Sequence, residues 1–69
     1  MRPGDMVRCR DWTWLYTHPT EGLANDRVLV GELVLVLAVL GPRAMVLTRL
    51  GPGYVPVQRK FWDRHWDHG

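Results

Sequence analysis

Val28-Leu29-Val30-Gly31-Glu32-Leu33-Val34-Leu35-Val36-Leu37-Ala38-Val39-Leu40 is the one long apolar run of the chain, and it stops at the turn-forming pair Gly41-Pro42. Five of its thirteen residues are Val, whose branched Cβ is stiff at χ1 and suits a pleated surface. A membrane helix needs roughly 20 apolar residues, and this run is shorter and broken by Gly31-Glu32. The run reads as a central β-strand, or as two short strands bent at Gly31. A buried helix is the rival, because periodicity alone does not separate it from a short buried strand.

A side-chain period of two divides the run into two faces. Leu29, Gly31, Leu33, Leu35, Leu37 and Val39 share one; Val28, Val30, Glu32, Val34, Val36, Ala38 and Leu40 share the other. Both are apolar, so both need cover. The leucine face is expected to point into the domain. The other face is expected to be covered by the chain's own aromatic residues, by a tightly curled sheet or by a partner, and Val34 and Val36 are read as meeting the partner.

Sixty-nine residues make a single domain, residues 1–69, with 59–69 an aromatic C-terminal tail. A core of this size is marginal, and small domains lean on staples or partners. Cys9 is the sole cysteine, which excludes an intrachain disulfide and a four-cysteine zinc site. It reads as a small buried residue of a reducing compartment. Met1-Arg2-Pro3-Gly4-Asp5 leads to no apolar signal-peptide core, so the expected location is cytoplasmic, or within a particle such as a virion assembled there. The formal charge of +2 is mild, and the nine basic residues are eight Arg and one Lys. Four Trp are the more informative excess, since Trp is enriched at binding hot spots.

On the N-terminal side, Met6 to Tyr16 alternates. Met6, Arg8, Arg10, Trp12, Trp14 and Tyr16 fall on one face, and Val7, Cys9, Asp11, Thr13 and Leu15 on the other. A bulge near Asp11 would switch them. Thr17 to Arg27 reads as a long loop, with turn formers at His18-Pro19, Gly22 and Asn25-Asp26. Beyond the apolar run, Leu40-Gly41-Pro42 recurs as Leu50-Gly51-Pro52, which is hairpin spacing around a strand over Ala44–Arg49. Tyr54-Val55-Pro56-Val57 reads as a short strand at an edge or its end, because Pro56 has no N–H for a ladder. In the tail, Phe61, Trp62, His65 and Trp66 share a helical face, predicting a short helical turn that docks Trp onto the sheet.

Pro3-Gly4-Asp5-Met6-Val7-Arg8, the long loop, Gly31-Glu32-Leu33-Val34-Leu35-Val36-Leu37, a turn and Ala44-Met45-Val46-Leu47 together resemble SH3-like small β-barrels. The chain looks in particular like short phage-encoded proteins that open on Pro-Gly-Asp-hydrophobic-Val. The resemblance spans most of residues 3 to 62, and the aromatic tail after Gln58 departs from it. It implies an all-β, strongly bent sheet of about five antiparallel strands. It implies no single function, because the fold serves many. A virion structural or accessory protein is one role it suggests.

No catalytic constellation stands out: the chain has no Ser, and Cys9 has no base beside it. Asp63, His65, Asp67 and His68 invite a metal reading, but a solvated tail accounts for them, and no metal or cofactor is expected. Gly51-Pro52-Gly53 places Pro where a phosphate loop needs an N–H donor. Trp12, Trp14, Tyr16, Val34, Val36, Tyr54 and Trp66 are the candidate partner-binding residues. Abundant Trp with Arg far above Lys is the composition of interface cores. The expected role is therefore a non-catalytic protein-interaction module of a larger assembly, self-association included, and not a membrane protein. A single-stranded nucleic-acid-binding barrel is the alternative, stacking bases on the aromatics beside Arg8, Arg10, Arg59 and Lys60. Asp11, Asp63 and Asp67 among those aromatics would repel phosphate. A small inhibitor of a host enzyme is a third reading, built on the same chemistry as the first.

Overall fold

The central run breaks where its glycine stands. Gly31 has φ 91°, a conformation that strains any residue with a Cβ, and the Glu32 N–H donates to the Leu29 carbonyl at 3.1 Å. The chain thus leaves one strand at Val28 and starts another at Leu33. A computed structural model describes residues 2–58 and 64–68 and arranges them as β1 (Met6–Cys9), β2 (Thr13–Tyr16), β3 (Ala24–Val28), β4 (Leu33–Leu40), β5 (Arg43–Thr48), β6 (Gly51–Pro56) and β7 (Trp66–His68). These form one antiparallel sheet in the order β3-β2-β6-β5-β4-β1-β7, curled into a half-barrel.

The inner face is lined by small β-branched residues. Val7 pairs with Val34, Val36 with Val46, and Ala44 with Val55, and each of these six is at most 1% exposed. A sharply curled sheet leaves little interior width, which Val and Ala fill without clashing. Cys9, Leu15 and Val28 complete the cluster, together with Trp66, which lies opposite Cys9 on β7 and is the largest fully buried side chain. The alternation of residues 6–16 keeps one phase through the bend at Arg10–Trp12: Val7, Cys9, Thr13 and Leu15 are inward, and Met6, Arg8, Trp12 and Trp14 exposed. That bend is stapled to the C-terminal segment. The Arg10 N–H donates to the His65 carbonyl at 2.7 Å, and Cys9 Sγ donates to the Asp11 carbonyl at 2.8 Å.

Several expectations are corrected. Val34 and Val36 face inward, and Leu33 and Leu37 are exposed, so the two faces of the central run are exchanged. The physical reason is the pairing above: only the valines fit the narrow interior. Asn25-Asp26 lies within β3, not in a loop, since Ala24–Val28 has the exposed arm of β2 to pair with. β6 is an inner strand of the order and not an edge, and Pro56 stands at its end, the other place expected for it. Pro52 and Pro56 are accommodated because β6 makes its ladder with β5 and meets β2 only at Tyr16↔Tyr54. Trp66 belongs to a strand instead of a helical face; Arg64 and His65 alone among the described residues have helical backbone, and Arg59 to Asp63 lies outside those residues. The sheet has seven strands where about five are expected: β3 forms within the expected loop and β7 within the expected helical tail.

Candidate functional site

The β2–β3 hairpin carries the exposed aromatics and lays them beside the ends of β5 and β6. Its seam to β6 is close. A Cβ built on Gly53 would stand 2.5 Å from Leu15 Cδ1 and 3.2 Å from the Tyr16 carbonyl oxygen, so glycine sets how near the hairpin comes. The hairpin loop is ordered from within by His18, whose Nδ1 accepts the backbone N–H groups of Thr20 at 3.2 Å and Glu21 at 3.1 Å. Arg43, at the start of β5, then ties that loop down. Its Nη1 donates to the His18 carbonyl at 2.8 Å and the Glu21 carbonyl at 3.2 Å, while the guanidinium stacks 3.7 Å from the Tyr16 ring centroid.

Between hairpin and sheet lies an open cleft of about 500 Å³, lined chiefly by Trp12, Trp14, Tyr16, Pro42, Arg43 and Pro56. A second hollow, formed with Gly22, Leu23 and Ala24, shares Trp14, Tyr16 and Arg43 with it. Those three side chains are therefore a ridge between two hollows. Trp12 and Trp14 meet edge to face with centroids 5.0 Å apart, 41% and 44% exposed. Arg27, opposite Trp14 in the hairpin register, holds its guanidinium 5.5 Å from the Trp12 ring and 5.8 Å from the Trp14 ring. The aromatic wall is thus braced by its own cations. It can bury apolar and proline-like groups and offer the edges of indole and guanidinium as donors.

Of the residues anticipated from sequence, Trp12, Trp14 and Tyr16 come together here. Tyr54 pairs with Tyr16 but is half-buried beside the cleft and does not line it. Val34, Val36 and Trp66 are in the core and present nothing to a partner. Arg8 is exposed on β1 opposite Leu33 and Asp67, and Arg10 is exposed at the bend, both outside the cleft lining. Arg59 and Lys60 lie outside the described residues. Arg43, Pro42 and Pro56 are cleft residues that sequence reasoning missed, as is Arg27, which braces Trp12 and Trp14 without lining the cleft. Only the strand register, which sets Arg27 against Trp14 and Arg43 against Pro56, reveals them. Among the described residues no group of three His, Cys, Asp or Glu is placed to hold a metal ion, and no helix is long and apolar enough to cross a membrane.

No protein-family model matches the chain, and neither a curated protein nor a solved structure matches it significantly.

Proposed function

We propose that the chain is a non-catalytic protein-interaction module that seats an extended, proline-containing segment of a partner across the Trp12–Trp14–Tyr16 cleft. One observation carries this reading: two hollows flank a single aromatic ridge. An extended chain seats successive side chains in separate pockets, and the two hollows share Trp14, Tyr16 and Arg43 between them. Extended proline-rich segments are favoured because their backbone is already ordered and loses little entropy on docking. The strand order supports an SH3-like barrel: β7-β1-β4-β5-β6 forms the five-stranded bent sheet, and the β2–β3 hairpin is a long excursion folded back on β6. An accessory or structural subunit of a larger assembly, a phage particle among them, is the setting we read for such a module.

Nucleic-acid binding is the second reading, favoured by Arg27 between two exposed indoles. It is the weaker one. Arg27 and Arg43 spend their guanidinium faces on the protein's own rings, and Arg43 donates to two carbonyls besides. Asp11, in the lining of the cleft, would also repel a phosphate backbone.

Intrinsic Trp fluorescence separates the two. The chain is titrated with a panel of extended proline-containing peptides and, in parallel, with oligothymidylate, each over a salt series. The expected result is saturable peptide binding with little salt dependence. Trp14→Ala, folded by circular dichroism, should weaken it by roughly thirtyfold, or about 2 kcal/mol, as for a hot-spot aromatic. Oligothymidylate binding that falls steeply with salt, with no peptide bound, would overturn the proposal in favour of nucleic acid.

A further inference from the structure

The loop between β2 and β3, residues 17–23, walls both hollows: Thr20 lines the first, Gly22 and Leu23 the second. One ring nitrogen holds its shape. His18 Nδ1 lies 3.2 Å from the Thr20 amide nitrogen, 3.1 Å from that of Glu21 and 3.5 Å from the Thr20 hydroxyl. A backbone N–H can only donate, so Nδ1 must present its lone pair, and the single proton of the ring sits on Nε2. Pro19, next in the chain, has no N–H to add. The chain then doubles back, so that a Cβ on Gly22 would stand 3.8 Å from the Cβ of His18.

Arg43 couples this turn to the cleft. Both carbonyls that its Nη1 reaches, those of His18 and Glu21, belong to the turn, and the same guanidinium lies over Tyr16. When the turn opens, the two acceptors separate, and the cation that lines both hollows loses its anchor. Histidine is the side chain that ordinarily takes up its proton between roughly pH 5 and pH 8. A proton on Nδ1 converts the acceptor into a donor, facing two amides that cannot accept. It also sets a positive ring beside the Arg43 guanidinium. Besides Arg43, the charged groups about the turn are Glu21 within it, and Asp26 and Arg27 on β3, further along the hairpin opposite Leu15 and Trp14. Among the described residues no carboxylate makes an ion pair with the ring that would hold it in place once charged.

We infer that His18 is a proton-operated latch on the cleft. Neutral, it folds the loop so that Arg43 can clamp it, and both hollows keep their walls. Protonated, it releases the turn and frees Arg43 with it. His65, another histidine of the cleft lining, does not act this way. Its Nδ1 lies 3.2 Å from the Asp11 carbonyl, an acceptor, so that contact survives protonation where the His18 contacts do not. The latch concerns the shape of the hollows and not what fills them, so it goes beyond the peptide reading and holds or fails without it.

Nitrogen-15 NMR of the whole chain, imidazole and amide, taken without ligand from about pH 8 down to about pH 5, tests it. The expected result is the Nε2–H tautomer at His18 at the start. As that ring takes up its proton, the Thr20 and Glu21 amides and the Arg43 guanidinium signals should shift with the same midpoint, and protection of the two amides against solvent exchange should fall at least about tenfold. His18→Asn, whose Oδ1 takes the place of Nδ1 and does not titrate, should keep both amides protected throughout. His18→Ala should leave them unprotected at every pH. A proton on Nδ1 in the neutral ring overturns the inference. So do Thr20, Glu21 or Arg43 signals that ignore the His18 titration, or amides that lose protection equally in the His18→Asn variant.

Discussion

Cys9 shows how a single side chain is governed by its surroundings. It is 1% exposed, donates to the Asp11 carbonyl, and lies within 3.7 Å of the Val28 carbonyl. Burial, with the nearby carboxylates of Glu32 and Asp11, pushes its thiol from the ordinary 9.0 up to about 11. The folded state therefore keeps the proton over an interval in which the unfolded chain has released it. Stability from this group is complete below about pH 9 and is lost as pH rises towards 11. Thermal melts from pH 8 upward should show the wild type losing more stability than Cys9→Ala across that window. Parallel curves would show that the thiol does not titrate differently in the two states. At neutral pH the thiol should resist alkylation until the protein unfolds.

At the scale of the element, β4 carries the clearest consequence. Val34 sits against Val7 with 1% of its surface exposed, while its neighbour Leu33, paired with Arg8, is half exposed. Val34→Asp should cost at least about 3 kcal/mol, because a carboxylate there has no partner in a valine-lined interior. Leu33→Asp should cost under about 1 kcal/mol and gains a cross-strand cation in Arg8. Urea unfolding of both variants measures the contrast, and equal destabilisation would contradict the register. The alternation of β4 is legible in its sequence. Its sense is not, because an inward leucine and an inward valine look equally apolar until Val7, Val46 and Ala44 are known to face them.

For the molecule as a whole, the half-barrel depends on one bulky side chain supplied from the end of the chain. Trp66 is buried at 1%, belongs to a core with nine smaller residues, and arrives on a three-residue strand held by β1. Trp66→Ala should cost about 3–5 kcal/mol, comparable with the total stability of a domain this small. The measured outcome should be loss of a cooperative thermal transition and gain of dye binding to exposed apolar surface. A melt within a few degrees of the wild type would show that the core closes without it.

The residue pattern alone pointed to an all-β chain with a turn at Gly41-Pro42, offered a bend at Gly31 as one of two readings of the central run, and put Trp12, Trp14 and Tyr16 on a face with Met6 and Arg8 provided that no bulge intervened at Asp11. Those features are local: period-two alternation, Val content and glycine's access to positive φ act within a few residues. The tertiary structure decided the rest. It turned Val34 and Val36 inward, made β3 from residues that read as a loop, and drew Trp66 from a surface role into the core. It also assembled the cleft by setting Arg43 over Tyr16 and opposite Pro56, and braced its indoles by setting Arg27 against Trp14. Each of these depends on which strand lies next to which, and on how little width a curled sheet leaves inside. That is a property of pairs distant in the chain, which no single stretch of it carries.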